Sequence, residues 1–358
     1  MAIIVISLDG VGDKEFEKLA QDKENYPNIA KFMEHSVYKG GQKSIFVSNT
    51  QPTHTTISTG KLPSEHKIIS NKRKVNSIRW SKRAKYINAE TIWEAVHRNH
   101  MTTAAIFWPV TCGAKIKWNI PGMCIGSRLL QLRMLIKHGW RLIGISQRGA
   151  VQTLDNFAAA VSSELLRTRT PDLTLIHLLV YDSTRHKVGG ASEELDVARK
   201  SLDKNLGKIL RAAGERTVLI CADHSHLDVE QTVDLRKIFG EELYEQCGGS
   251  AFFKKKTEGV ENYPWFGRFL TQEEMKVSGY SEFAYCGIAA KKGYEFSKTA
   301  YKSNHGYPTD YENYNVFYAI RGAKTNAKAN YGDIRDIAGI ILKELGIDEW
   351  KLPTTKSE

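Results

Sequence analysis

Short apolar runs alternate with amphipathic segments along most of the chain, a pattern that predicts a parallel sheet covered on both faces by helices. Ile3–Leu8 reads as a core strand ending at Asp9, and residues 28–35 read as a helix with Ile29, Phe32 and Met33 on one face. Residues 44–47 predict a strand leading to a helix over 52–58, since proline is tolerated in a first helical turn, and Thr50 sits just before it. Helices are predicted over 89–96 and 154–166, and strands over 103–107 and 173–180. A long helix over 193–213 stops at Gly214, and a strand over 217–221 follows. Residues 248–301 change character, rich in lysine, glycine and aromatics with poor helical periodicity, and read as a partly antiparallel excursion or cap. The core pattern resumes with a strand over 316–320 and a closing helix over 334–345. The expectation is a single α/β domain over 1–358, with a mostly parallel central sheet between helices and a small inserted cap at about 248–301.

Composition narrows the classes. With 41% hydrophobic and 25% charged residues the chain has an ordinary globular balance, which excludes disorder. No apolar run reaches the length of a membrane span, and the N-terminus lacks the pattern of a secretory leader, so no membrane partner and a cytoplasmic location are expected. Five cysteines, widely spaced and without a Cys-x-x-Cys pair, indicate neither a disulfide framework nor a thiolate metal site. The net charge of +11 has two readings, a lysine-rich solvated surface or steering of an anionic substrate by clusters such as Lys72-Arg73-Lys74, residues 79–85 and Lys254 to Lys256. Only Trp80 places an aromatic ring inside such a cluster, so no specific nucleic-acid recognition is expected.

The candidate chemistry lies in Asp and His residues scattered over three segments. Asp182 and His186 stand four apart, so one helical turn would aim both at the same point. Asp223-His224 follows a buried strand, where two polar side chains without partners would be costly. His305 lies in the run Asn304-His305-Gly306. With Asp9 and Thr50 these residues would fill two metal sites of mixed oxygen and nitrogen donors, which points to hydrolysis. Asp9, Asp182 and Asp223 each fall at or just after a strand end, where ligands gather in open α/β sheets.

Taken jointly these residues resemble the alkaline phosphatase superfamily, and most closely its nucleotide pyrophosphatase/phosphodiesterase branch. The resemblance runs through Asp9-Gly10, Asn25-Tyr26-Pro27-Asn28-Ile29, and the segment Asn49-Thr50-Gln51-Pro52-Thr53-His54 with Thr59-Gly60, Pro63, His66 and Asn71. It continues through Ile92-Trp93, Phe107-Trp108-Pro109, Asp182 with His186, Asp223-His224 and His305-Gly306-Tyr307. It implies an alkaline phosphatase-like fold and two divalent metal ions, zinc first and manganese as an alternative. One would be held by Asp182, His186 and His305, the other by Asp9, Asp223, His224 and the Thr50 hydroxyl. Thr50 would be the nucleophile, activated by direct metal coordination, with Asn71 donating to the phosphate.

The implied activity is hydrolysis of a small phosphorylated substrate, a phosphodiester or pyrophosphate, through a covalent phospho-threonine. Phosphomonoester and phosphonate hydrolysis are alternatives, and a metal- or phosphate-binding protein without turnover is the non-enzymatic one. Gln51 stands where nucleotide-cleaving relatives commonly carry an aromatic residue, and cannot supply a stacking face. His226 adds an imidazole beyond the family's Asp-His-Gly, which here reads Asp223-His224-Ser225. His54 and His66 read as hydrogen-bonded structural residues, and Gln51 and Trp108 as candidate substrate contacts.

Overall fold

The structure, a computed structural model, describes residues 2–71, 83–121, 137, 150–324 and 332–348. The basic cluster Lys72-Arg73-Lys74 and most of 79–85, with Trp80, lie outside the described residues. The sequence pattern is realised as a seven-stranded sheet. Its strands are β1 (Ile3–Leu8), β2 (Ser36–Gln42), β3 (Thr103–Ile106), β4 (Trp118–Ile120), β5 (Leu173–Leu178) and β6 (Thr217–Cys221), followed much later by the seventh. Between β6 and that strand lie β7 (Leu227–Val233), β8 (Leu243–Cys247), β9 (Ser250–Phe253), β10 (Phe266–Phe269), β11 (Cys286–Ala290), β12 (Gly293–Phe296) and β13 (Ser303–Asn304); β14 (Val316–Arg321) then rejoins the sheet.

The sheet order is β2-β14-β6-β1-β5-β3-β4. β1 pairs in parallel with β5 and β6, and β3 in parallel with β4 and β5, whereas β14 runs antiparallel to β2 and β6. β1 is central, and all six of its residues are buried. That is why its sequence is an apolar run rather than an alternation: both faces are covered. Each buried Ile or Leu there contributes about 1.5–3 kcal/mol relative to exposure. One group of helices (Asp13–Gln21, Pro27–Glu34, Ala150–Thr168, Val180–Val188, Glu193–Ala213) packs together, and a second (Thr50–Thr59, Pro63–His66, Ile92–Arg98, Asp336–Glu344) packs together separately.

Residues 44–47, expected as a strand, are irregular although buried. The strand beside β14 is Ser36–Gln42, where Lys39, Gly40 and Gly41 on a half-exposed edge dilute the apolar signal. The antiparallel sheet β10-β11-β9-β8 and the smaller sheet β12-β7-β13 form the excursion between β6 and β14. It has an apolar cluster of its own, with Leu235, Phe253, Trp265, Phe296 and Tyr307.

Cys112 is disulfide-bonded, a single bridge rather than a framework; spacing along the chain does not show which cysteine Cα atoms come within bridging distance. Cys221, Cys247 and Cys286 are outside any disulfide. Among the described residues no helix is long and apolar enough to cross a membrane.

Candidate active site

Parallel neighbours β1 and β6 deliver the first group of side chains from their carboxyl ends. Asp9 follows β1 directly, its N–H donating to the Leu178 carbonyl of β5 at 3.0 Å. Asp223 and His224 lie just beyond β6, and the Gly10 N–H donates to Asp223 Oδ1 at 3.1 Å. His224 Nδ1–H donates to the Ser225 carbonyl at 3.3 Å, which turns Nε2 inward. Nε2 then lies 3.3 Å from Asp9 Oδ1, 3.3 Å from Asp223 Oδ2 and 3.5 Å from Thr50 Oγ1. Asp9 Oδ1 and Asp223 Oδ2 are buried without a hydrogen-bond partner. Leaving carboxylate oxygens so placed is costly unless a cation meets them.

The electrostatics agree. Burial and then the charge of Asp182 push Asp9 up to about 6, and burial followed by Asp9 raises Asp223. Burial opposes charge on His224, but Asp223, Asp9 and Asp182 together outweigh it and raise the imidazole to about 10. Without a metal, the site places its own positive charge between the carboxylates.

The second group comes from a helix and a loop. Asp182 and His186 share the helix Val180–Val188, four residues apart, with His186 Nε2 3.3 Å from Asp182 Oδ1. That helix is anchored by the buried Asp155, whose oxygens accept the Leu179 and Val180 N–H groups at 2.9 and 3.0 Å, as a capping residue would. His186 Nδ1–H donates to the Ser303 carbonyl at 2.8 Å, freeing Nε2 as a ligand atom. The His305 ring stacks on His224 at 3.9 Å between centroids, and its Nδ1 has no partner. Ligand atoms of Asp182, His186 and His305 lie within 4.8 Å of one another, as do those of Asp9, Asp223 and His224. The donors, carboxylate oxygens and imidazole nitrogens, suit hard and borderline divalent cations.

His305 is held by the excursion. Asn304 Oδ1 accepts the His305 N–H at 2.8 Å, and its amide nitrogen donates to the buried Glu295, which also accepts from Thr232 Oγ1 at 2.6 Å and the Tyr301 N–H at 2.8 Å. The Tyr314 hydroxyl accepts the Gly306 N–H at 2.7 Å and pairs with Ser48 Oγ at 2.7 Å, tying this loop to the turn before Thr50. Gly248 must lack a side chain, because a Cβ there would meet the His305 carbonyl at 2.0 Å.

Thr50 is the first residue of the helix Thr50–Thr59, so it belongs to the helix rather than just preceding it. This helix is polar yet buried. Three of its hydroxyls are satisfied within the helix, Thr55, Ser58 and Thr59 donating to the carbonyls of Gln51, His54 and Thr55 at 2.7–2.8 Å. His54 Nδ1–H donates to the Thr50 carbonyl at 2.8 Å and Nε2 pairs with Ser7 Oγ at 2.9 Å; His66 Nδ1 accepts the Ile68 N–H and Nε2–H donates to Thr56 Oγ1 at 3.1 Å. Burial lowers both rings to about 3, so each is neutral.

The Gln51 N–H donates to Asn71 Oδ1 at 2.8 Å. That bond fixes the amide flip and leaves the Asn71 NH2 free to donate. Beside Thr50 opens a cavity of about 410 Å³, lined by Asp9, Gln51, Asn71, Phe107 and Leu179 among others. Its wall includes strained backbone, with Phe107 at φ 58° and Val110 at φ 60°. Trp108 also reaches this wall, but it is fully buried with its indole N–H donating to Ser58 Oγ at 2.9 Å, so its main contacts are packing contacts.

Sequence reasoning missed His177. This polar residue inside the apolar β5 is buried, with Nε2 3.1 Å from Asp9 Oδ2 and its ring against His54 at 4.4 Å. A histidine interrupting a strand that runs to a ligand was the available signal. Asp155, Ser303 and Glu295 carried none, since their partners are 24 or more residues away or on other turns of the excursion.

Strand ends thus present Asp and His side chains beside a helix-borne threonine. The chain belongs to the type I phosphodiesterase / nucleotide pyrophosphatase family, whose model matches residues 3–317. Venom phosphodiesterase 2 of Crotalus adamanteus is 24% identical over 207 residues, which is 55% of this chain and 23% of that protein. Venom phosphodiesterase of Macrovipera lebetinus is 23% identical over 205 residues, 55% of this chain and 22% of that protein. The chain thus matches less than a quarter of the length of these relatives.

Human ectonucleotide pyrophosphatase / phosphodiesterase 5 has a similar fold, with a TM-score of 0.73 at 16% identity, covering 97% of this chain and 95% of that one. So does phosphonoacetate hydrolase from Sinorhizobium meliloti 1021, solved with phosphonoformate, with a TM-score of 0.72 at 15% identity and 96% of each chain covered.

Proposed function

We propose that this protein hydrolyses phosphate esters, as a phosphodiesterase or nucleotide pyrophosphatase, through a covalent phospho-Thr50 intermediate at a two-metal site. The observation that carries this reading is the convergence of Thr50 Oγ1 with Asp9, Asp223 and His224 at the first turn of a helix, beside a second triad of Asp182, His186 and His305. Orphaned buried oxygens on Asp9 and Asp223 fit a divalent cation there, and the second triad fits another. Zinc suits both donor sets, with manganese as the alternative. When bound, the cations would stabilise the Thr50 alkoxide and the leaving oxygen and lower the pKa of a water.

The chain's own groups do the rest. Thr50 Oγ1 attacks phosphorus and the bond to the leaving alcohol breaks; water then attacks the phospho-threonine and releases Thr50. The dipole of the helix that begins at Thr50 favours the phosphate's negative charge, and the Asn71 amide, aimed by Gln51, donates a hydrogen bond. A second reading, phosphonate or phosphomonoester hydrolysis, is favoured by Gln51, which offers no face on which a base would stack.

Metal-stripped protein reconstituted with single metals and assayed on an aryl phosphodiester, an aryl phosphate and an aryl phosphonate tests both. The diester is expected to be cleaved fastest, and Thr50→Ala to lower that rate by about 10³-fold or more. Monoesterase activity dominating by orders of magnitude, or a near wild-type rate in the variant, contradicts the proposal.

A further inference from the structure

His226 lies next to the second triad but outside it. We propose that it is a positioning residue, which together with Ser303 holds the Asp182 carboxylate and the His186 ring in register for the metal. This rests on the two-metal reading above.

The ring is fully enclosed, and Nε2 lies 2.8 Å from Asp182 Oδ1. A carboxylate oxygen only accepts, so the proton between them sits on Nε2 and His226 is the donor. Nδ1 then shares the single Ser303 hydroxyl proton with the Leu227 carbonyl, each 3.1 Å from Ser303 Oγ, and that oxygen accepts from Arg185 Nε at 3.3 Å. The carbonyl of the same Ser303 takes the Nδ1–H of His186 at 2.8 Å. One residue of β13 therefore fixes two imidazoles through different atoms, and the two rings meet edge to face at 4.7 Å with Asp182 between their Nε2 atoms.

Asp182, His224 and His226 bring ligand atoms within 4.8 Å of one another, as Asp182, His186 and His305 do, so the positioning role is carried by the bonds to Asp182 and Ser303, and the cobalt spectra below separate it from ligation. Gly10, at φ +72°, accommodates the ring, because a Cβ there would sit 2.7 Å from His226 Nε2.

The test uses His226→Met, which fills similar space without a donor, His226→Gln, whose amide restores a donor near the Nε2 position, and Ser303→Ala. Each protein is stripped of metal, checked for folding by thermal unfolding, and titrated with cobalt(II), read by ligand-field absorption and chelator competition. His226→Met is expected to weaken one of two cobalt sites by roughly 10- to 100-fold, with the saturated spectrum unchanged in shape. His226→Gln is expected to regain most of the affinity, and Ser303→Ala to show a smaller loss at the same site. Wild-type affinity in His226→Met overturns the proposal. So does a saturated spectrum altered alike in Met and Gln variants, which would make His226 a ligand. Should His226→Met fail to fold, wild-type cobalt affinity in Ser303→Ala also overturns it. A wild-type protein that binds fewer than two cobalt ions instead defeats the two-metal reading itself.

Discussion

The two halves of the site are built in different ways. Asp9, Asp223 and His224 sit at the ends of adjacent parallel strands whose register is fixed over their length, from Ile3 opposite Thr217 to Ser7 opposite Cys221, and their side chains are 0–4% exposed. Asp182, His186 and His305 come from a helix and a loop, with Asp182 and His186 at 13% and 16%, and they lean on hydrogen bonds from Ser303, Asn304 and Glu295. The first half inherits its geometry from the sheet. The second half depends on a polar scaffold contributed by the excursion, so its affinity for metal can be altered by residues that never touch the metal.

The largest effect should follow from breaking the strand-end half. Asp223→Ala removes a ligand and leaves Asp9 and His224 unbalanced; turnover is expected to fall by about 10³-fold or more, several kcal/mol of lost charge stabilisation at about 1.36 kcal/mol per decade. Steady-state rates at saturating metal check this, and a loss below tenfold would mean that this half is dispensable.

A smaller and more selective effect is expected from the scaffold. Glu295→Gln replaces a carboxylate that collects Thr232, Tyr301 and Asn304, and should weaken one metal site by roughly 10- to 100-fold while sparing the other. Equal weakening at both sites, read by calorimetric titration, would erase the contrast between the halves.

The smallest effect is a pH dependence. Asp9 is pushed up to about 6, first by burial and then by Asp182, so below that pH the metal-free protein holds a proton that a cation must displace. Because the His224 imidazole, raised to about 10, must also lose its proton, affinity at the strand-end site should fall about tenfold per pH unit below 10 and more steeply below 6. A flat profile from pH 5 to 8 contradicts this.

What could be read from the sequence follows the same division. The strands β1 and β6 and the helix Glu193–Ala213 announced themselves because continuous burial and helical periodicity are local signals, and Asp9 and Asp223 follow from those strand ends. Edge strand β2 did not, because its exposure and its two glycines leave little apolar signal and the buried run at 44–47 draws attention instead. Asp155, Ser303 and Glu295 were illegible for another reason. Their meaning lies in partners brought together only by tertiary structure, such as Asp155 on one helix capping the next.

The most direct test of the central claim, covalent catalysis by Thr50, is the stereochemical course at phosphorus. A diester made chiral by sulfur and oxygen isotopes, hydrolysed by the metal-reconstituted protein, should give a product with net retention, since attack by Thr50 and then by water inverts the centre twice. Net inversion would mean that water attacks the substrate directly, and Thr50 would not be the nucleophile.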